Sequence, residues 1–462
     1  MPARFVNIDR DTPLLLPPNL KDWVPANHLC LFIVDAVEEL DLHQVKVNER
    51  GSGSEQYPPR MLLSLLIYSY ATGVFGSRRI EQSTYESVPV RVLCADTHPD
   101  HDTICTFRRE NKELVSEAFV KVLEMAQNLK FLKVGQITVA VDGTKVLANA
   151  SKHWAVSYQR AGELIEQLER EVTQLLSKAE QADSTPLEEG LTIPEEIVRR
   201  QERKAKLAQA RSEIEARAKA KAAAQEAEEE KNRAQGRQRQ EQGKKVRGAE
   251  PKAPPGEPQP KDQYNFSDPQ SRIMKAGNGH HFEQAYNNAQ AAVEVESRLV
   301  VGQRVSDAPN DKEQLVPTLQ AIPPSVGGVA AALVDSGFCS EAAVQKVERS
   351  ERGQPTGTAV YAALEKTSHH RSVEDLEQKA EPPAAAEGSP VLEVLKQRMK
   401  TKAGKAQYKL RQQTVEPVFG IIKSVMGFRR FLLRGLEKVS LEWTWVSVAY
   451  NLKRLHRMTL AS

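Results

Sequence analysis

Twice in this chain a short apolar run stops at an aspartate with a glycine one or two residues on. In Gln136-Ile137-Thr138-Val139-Ala140-Val141-Asp142-Gly143 the residues Ile137, Val139 and Val141 alternate with Thr138, Ala140 and Asp142, the period of a β-strand. The run Val329-Ala330-Ala331-Ala332-Leu333-Val334-Asp335-Ser336-Gly337-Phe338 repeats the theme, with a helix opening near Ser340. An aspartate in such a place commonly caps a turn, and it is also where α/β enzymes put metal-binding carboxylates. The constraint on the fold is spatial. Asp142 and Asp335 converge only if their strands are neighbours in one sheet.

A third acid has a comparable setting. Glu416 lies among apolar neighbours in Tyr408-Lys409-Leu410-Arg411-Gln412-Gln413-Thr414-Val415-Glu416-Pro417-Val418-Phe419-Gly420-Ile421-Ile422-Lys423. On a helix Lys423 falls on the face of Glu416, about two turns away; a solvated ion pair would look the same. Pro417 directly follows Glu416 and disfavours helix at that residue, so a helix is expected to start or kink there. Two strand-end aspartates and a helical glutamate are what two-metal phosphoryl transfer requires. Mg²⁺ prefers oxygen ligands and takes only one or two carboxylates beside water and substrate phosphate.

At 462 residues the chain is too long for one small core and implies about two or three domains. Its 64 basic and 61 acidic residues leave a net charge of only +3, so the whole-chain balance does not select a partner. The distribution is more informative. In residues 401–462 many bases, among them Lys409, Arg411, Lys423 and Arg429, face only Glu416, Glu437 and Glu442. Such a surface attracts a polyanion or is simply solvated. Cys30, Cys94, Cys105 and Cys339 are scattered without a CxxC pair, which argues against a disulfide framework and fits a reducing, cytoplasmic compartment. His98 and His101 fall between Cys94 and Cys105, but that order matches no common zinc pattern. No signal peptide is evident at the N-terminus. The apolar run Met61–Phe75 is interrupted by Ser64, Ser69 and Thr72 and is shorter than a bilayer span, so no membrane partner is expected.

Along the chain, residues 1–20 read as extended. Helices follow from Asn27, from Pro58-Pro59 to Gly73, and from Gly76-Ser77 with Ser77 as N-cap. Asp102 is expected to cap one long helix through Leu129, with Arg108, Arg109 and Lys112 off its buried face. Short helices leading into a basic one are compatible with helix-turn-helix DNA binding, and equally with a wet surface. In 158–224, Ile165, Leu168, Val172, Leu175 and Ala179 recur at heptad spacing, and Leu207, Ala210, Ile214 and Ala218 form a second stripe after a break at Ser184-Thr185-Pro186. An antiparallel coiled-coil hairpin is the expected form. From Gln225 to Asp262 Val246 is the only large apolar residue, and disorder is expected. Strands are expected at Tyr286–Val295 and Arg298–Val305 as an antiparallel pair, and at Thr358–Leu364. A helix is expected at Asn310–Leu319 and a loop over 366–390. Trp443 and Trp445 either pack or stack on bases.

The combination resembles a bacterial insertion-sequence transposase of the DDE type, from the group whose third acid lies in a Tyr-Arg-Glu-Lys pattern. The resemblance is carried by Asp142-Gly143-Thr144-Lys145, Tyr264-Asn265-Phe266-Ser267-Asp268-Pro269, Asp335-Ser336-Gly337-Phe338 and Tyr408 through Lys423. Pro99-Asp100-His101-Asp102-Thr103-Ile104 with Phe107-Arg108-Arg109 resembles the N-terminal helical domain of that group. One departure is that four residues, not three, separate Arg411 from Glu416.

The resemblance implies an α/β fold: an RNase H-like mixed-sheet catalytic core with an N-terminal helical domain and an inserted coiled-coil hairpin. The corresponding boundaries are 1–132 for the helical DNA-binding domain, 133–157 and 263–462 for the core, and 158–262 for the insertion. It further implies cut-and-paste movement of an insertion sequence, with Asp142, Asp335 and Glu416 as catalytic ligands of two Mg²⁺ or Mn²⁺ ions. Tyr408, Arg411, Lys423, Arg108 and Arg109 would contact DNA. The implied partners are double-stranded DNA, its terminal inverted repeats and target DNA, met by a homodimer at the nucleoid. The alternatives are a catalytically inactive DNA-binding relic and a coiled-coil scaffold resting on 158–224 alone.

Overall fold

A computed structural model describes residues 19–41, 45, 56–182, 193–241, 256–275, 282–308, 311–350, 354–364 and 390–462. The expected loop at 366–390 lies outside these residues save its last, and the extended reading of 1–20 lies outside them save its last two. Contacts divide the chain into two units: Met1–Val146 with Tyr286–Ser462, and Leu147–Ala285.

The first unit opens with α1 (Leu29–Glu38), α2 (Pro59–Thr72), α3 (Ser77–Glu86), α4 (Val88–Leu93), α5 (His101–Glu110) and α6 (Lys112–Asn128). Every residue of α2 from Leu62 to Ala71 is buried, as expected of a helix that is apolar on most sides and sits inside a core. It ends at Gly73, whose φ of 89° is left-handed and where a Cβ would stand 2.7 Å from the Met426 carbonyl oxygen. Among the described residues no helix is long and apolar enough to cross a membrane.

The single helix expected from Asp102 is two. Asp100, not Asp102, caps α5 by accepting from the backbone N–H groups of Asp102 and Thr103. The helix stops at Asn111 (φ −104°, ψ 56°), whose amide donates to the Phe107 carbonyl at 2.9 Å. A side-chain amide that bonds nearby backbone competes with helix continuation. Gly76 rather than Ser77 occupies the N-cap of α3.

Beyond α6 come β1 (Ile137–Leu147) and then the elements of the second unit: β2 (Ala155–Ser157), α7 (Tyr158–Ala182), α8 (Ile193–Glu241), β3 (Gln263–Asn265) and β4 (Arg272–Lys275). β5 (Phe282–Glu294) leads back into the first unit, followed by β6 (Val300–Ser306), α9 (Leu315–Gln320), β7 (Val329–Val334), α10 (Glu341–Glu348) and β8 (Ala359–Tyr361). The chain closes with α11 (Val391–Lys400), α12 (Lys402–Gly420) and α13 (Leu436–Thr459).

In the first unit the strand order is β6-β5-β1-β7-β8. β1 runs parallel to β7, with Val141 opposite Val334, and β7 runs parallel to β8. β5 and β6 form the expected antiparallel pair. β1 and β5 are also antiparallel, since Val295 N–H donates to Thr138 O at one end and Ala148 N–H to Gln284 O at the other. The expected helix at Asn310–Leu319 starts only at Leu315, and the Thr358–Leu364 strand is confined to Ala359–Tyr361.

The core of this unit gathers on α13. Trp443 and Trp445 are fully buried, donating to the carbonyls of Gln290 and Arg108 at 3.0 and 3.3 Å. They pack, and no base can reach them. Glu442 is also fully buried; it accepts from the Tyr70 hydroxyl at 3.1 Å and from the N–H groups of Leu432 and Leu433 at 2.8 and 3.0 Å. Burial raises its carboxyl above the ordinary range against the pull of those donors.

The second unit is built on two antiparallel helices. Arg200 pairs with Glu171 at 2.9 Å, Lys204 with Glu169 at 2.8 Å, and Arg211 donates to the Tyr158 hydroxyl at 2.8 Å, so rising numbers on α8 meet falling numbers on α7. Between them Ala161, Leu164, Ile165, Leu168, Leu207 and Ala210 form an apolar seam that continues onto Tyr264 and Phe266. β2 pairs antiparallel with β3 at the roots of these helices. α8 continues past Gln225 to Glu241, where disorder was expected. Apart from Asn232 and Gly236 that stretch consists of Ala, Glu, Lys, Arg and Gln, all strong helix formers.

Candidate functional site

Parallel pairing of β1 with β7 settles the relation of the two aspartates. Val141 and Val334 are partners across the ladder, so Asp142 and Asp335, the next residues, emerge side by side. Asp142 is not a strand end as expected. β1 continues to Leu147 because its other neighbour, β5, is longer than β7. Gly143 accordingly makes no turn. A Cβ there would come within 2.5 Å of the Gln290 amide nitrogen.

Asp335 sits at the N-cap of a short 3-10 turn, Ser336–Phe338, yet its side chain makes no capping bond. The carboxylate is exposed. Ser340, by contrast, caps α10 by accepting from Ala343 N–H.

Glu416 lies within α12, which runs on through Pro417 to Gly420; no helix starts at Glu416. The irregularity comes later, as a π-helical turn at Ile421–Val425. Arg411, one turn before Glu416 and 10% exposed in its side chain, links the acids. Its Nη2 donates to Asp142 Oδ2 at 2.8 Å, and its Nη1 is 4.0 Å from Glu416 Oε1. Burial pushes the Asp142 carboxyl above its ordinary value; Arg411 and the Gly143 N–H oppose this, while Asp335 and Asp311 reinforce it. Asp142, Asp335 and Glu416 offer only oxygen, the donor chemistry that suits Mg²⁺ or Mn²⁺. Among the described residues no three His, Cys, Asp or Glu side chains converge closely enough to hold an ion as they stand.

Tyr408 is half-buried one turn before Arg411, and burial raises its hydroxyl above the ordinary range, with Asp335 adding to the effect and Arg411 opposing it. Lys423 lies on the π-turn. Burial lowers its ammonium, as do the neighbouring charges of Arg429 and Lys145. Its electrostatic neighbours are therefore bases rather than Glu416. Arg109 is exposed on α5. Arg108 needs correcting as a DNA contact: it is 4% exposed and donates to the Phe75 carbonyl at 2.7 Å, so its guanidinium is spent inside the helical core. His101 pairs with Glu81 at 2.8 Å and His98 bonds Thr84 at 3.0 Å, apart from any metal cluster.

Two residues near the site carried no signal in the sequence: Asp311 and Gln290, which stand beside the aspartates and their neighbours. No motif distinguishes them. Lys145 and Arg429, beside Lys423, were visible only as the end of the Asp142 motif and as one of the C-terminal bases.

Residues 384–456 match the family described as transposase DDE domain, and residues 18–110 match the family described as transposase domain (DUF772). The first match contains Tyr408, Arg411, Glu416 and Lys423, whereas Asp142 and Asp335 lie outside both. No curated protein and no solved structure matches the chain. Two transposase families, matched at opposite ends of one chain, support an insertion-sequence transposase.

Proposed function

We propose that this chain is a DDE-type DNA transposase, which cuts DNA at terminal inverted repeats and joins the 3′-hydroxyl ends to target DNA, moving an insertion sequence by cut-and-paste. One observation carries the reading: adjacent parallel strands deliver Asp142 and Asp335 side by side, and the Arg411 guanidinium reaches from Asp142 to Glu416. The strand order, with β1 antiparallel to β5 and parallel to β7, supports an RNase H-like core. The antiparallel α7 and α8 are read as the coiled-coil insertion of 158–262, between core segments 133–157 and 263–462, with 1–132 as the helical DNA-binding domain.

Asp142, Asp335 and Glu416 would be the residues that hold two Mg²⁺ or Mn²⁺ ions. When bound, such ions activate the attacking water or 3′-hydroxyl and stabilise the leaving oxygen. The surrounding residues hold the DNA. Arg411 leaves Asp142 for a backbone phosphate, to which its planar fork is suited. Tyr408 borders the same phosphate, and Lys423, crowded by Lys145 and Arg429, lowers its own electrostatic cost by accepting one. Arg109 supplies a backbone contact from α5. Cutting two ends calls for a homodimer assembled on DNA at the nucleoid.

Purified protein incubated with Mg²⁺ and a duplex bearing the element's ends tests this. Asp142→Asn, Asp335→Asn and Glu416→Gln should each abolish nicking while leaving folding and DNA binding in place. Full cleavage by Glu416→Gln removes that residue from the site. A second reading, a DNA-binding relic without catalysis, is favoured by the ion pair that occupies Asp142 and by the lack of three converging ligands among the described residues. Tight DNA binding without nicking by the unaltered chain would decide for it.

A further inference from the structure

One helix of the first unit carries charges that run against its own stability. α3 keeps a narrow face inside: Ile80 and Thr84 are fully buried, and the helix packs on α4 and α5. The other face is open. Arg78, Arg79, Gln82, Tyr85 and Glu86 are all exposed, at the spacing of a single stripe about two turns long.

α3 has two arginines and no acid in its first turn, and Glu86 is its last residue. The helix dipole favours the reverse, acids at the start and bases at the end. α5 has the favoured order, with Asp102 in its first turn and Arg108 and Arg109 in its last. Helix stability therefore accounts for the bases of α5 and not for those of α3. Among the described residues neither Arg78 nor Arg79 has a hydrogen-bond or ion-pair partner, so no carboxylate of the fold offsets their placement. A polyanion laid along the open face would.

The face is also held in position. The Tyr85 ring lies flat on the His98 imidazole, with centroids 3.8 Å apart and planes 13° from parallel, yet it stays 58% exposed. His98 is fixed in turn by Thr84 Oγ1 at 3.0 Å and by the Tyr57 hydroxyl, which donates to its carbonyl at 3.1 Å. At the start of α5, His101 meets Glu81 of α3 at 2.8 Å. An exposed aromatic fixed in advance loses little freedom on binding.

Resting on the transposase reading, we propose that α3 is the helix that reads the element's ends, lying in the major groove with Arg78, Arg79, Gln82 and Tyr85 toward the duplex. The major groove admits an α-helix, and arginine and glutamine match the edges of guanine and adenine there. The phosphates lining the groove provide the negative charge that the first-turn arginines lack within the fold. Arg109 on α5 then touches the DNA backbone without sequence preference.

The test is binding of the full-length protein to two duplexes of equal length, one carrying the element's terminal inverted repeat and one a scrambled sequence. Fluorescence anisotropy over a series of salt concentrations gives the affinities, with thermal melts alongside. The combined Arg78→Ala, Arg79→Ala and Gln82→Ala protein should lose its preference for the repeat by about ten-fold or more, as removal of base contacts does. Its Tm should be unchanged or raised, because two bases leave the wrong end of the helix. Arg109→Ala should weaken both duplexes alike and flatten the salt dependence. A preference that survives the combined variant overturns the proposal. An equal loss on both duplexes overturns it too, since α3 would then touch phosphates only. Should the alanine protein melt early, Arg78→Gln with Arg79→Gln keeps side-chain length and helix propensity and is held to the same two criteria. If the unaltered protein shows no preference for the repeat, the transposase reading fails and the proposal with it. If it shows one that the α3 variants retain, the role of α3 alone fails.

Discussion

At the scale of single residues, Arg411 has two claims on it. Its guanidinium is the ion-pair partner of the largely buried Asp142, and the resemblance assigns it to a DNA phosphate; one nitrogen cannot serve both at once. Arg411→Met should therefore destabilise the DNA-free protein by about 3 kcal/mol, since it strands a buried charge. The double variant Arg411→Met with Asp142→Asn should recover part of that loss in chemical denaturation. Asp311 gives a pH signature. Its folded pKa is raised above 3.8, so between the unfolded and folded values the folded state holds the extra proton. Stability is then full below 3.8 and falls as pH rises through the raised value. Asp311→Asn should remove that part of the fall in a metal-free series of thermal melts. Asp142, Asp335 and Glu416 stood out in the sequence because each sits in an apolar run or a spaced motif; what the fold adds is that Asp142 and Asp335 follow paired residues of neighbouring strands. Arg108 was misread because a basic residue on a helix looks the same in sequence whether it faces water or, as here, lies under Phe75 and Glu442.

At the scale of elements, the joint between α2 and the segment after α12 is the most exacting. Gly73 ends α2 in a left-handed conformation against the Met426 carbonyl, so Gly73→Ala faces both backbone strain and a steric clash. It should cost at least about 1 kcal/mol, read as a lowered Tm. Alternation located β1, a short apolar run located β7, and the expected antiparallel pair matched β5 and β6, but the length of β1 was not visible, because a strand extends as far as its longest neighbour and β5 was not known to be that neighbour. That Pro417 does not mark a helix start has a related reason. A proline lacks one N–H and clashes with one carbonyl, and an amphipathic helix packed on β7 and β8 outweighs that cost.

On the scale of the whole molecule, the second unit is a continuous stretch, Leu147–Ala285, set between two parts of the first. Replacing 158–262 with a short Gly/Ser linker should leave the first unit folded, with the buried emission of Trp443 and Trp445 unchanged in fluorescence. A red shift of that emission would mean the units fold only together. The sequence marked this stretch by its charge and its heptads, yet placed the end of order too early, because helix propensity without a core is hard to tell from disorder by composition.

The pairing of β2 with β3 has a mechanical consequence. The chain enters and leaves the helical arm through adjacent positions, Ala155–Ser157 beside Gln263–Asn265, so the gap at the base is set by a ladder and not by the helices above it. Adding or removing whole turns at the far end of α7 and α8 changes the reach of the arm without moving its footing. Length becomes an adjustable dimension, in the way a handle can be lengthened without altering its socket.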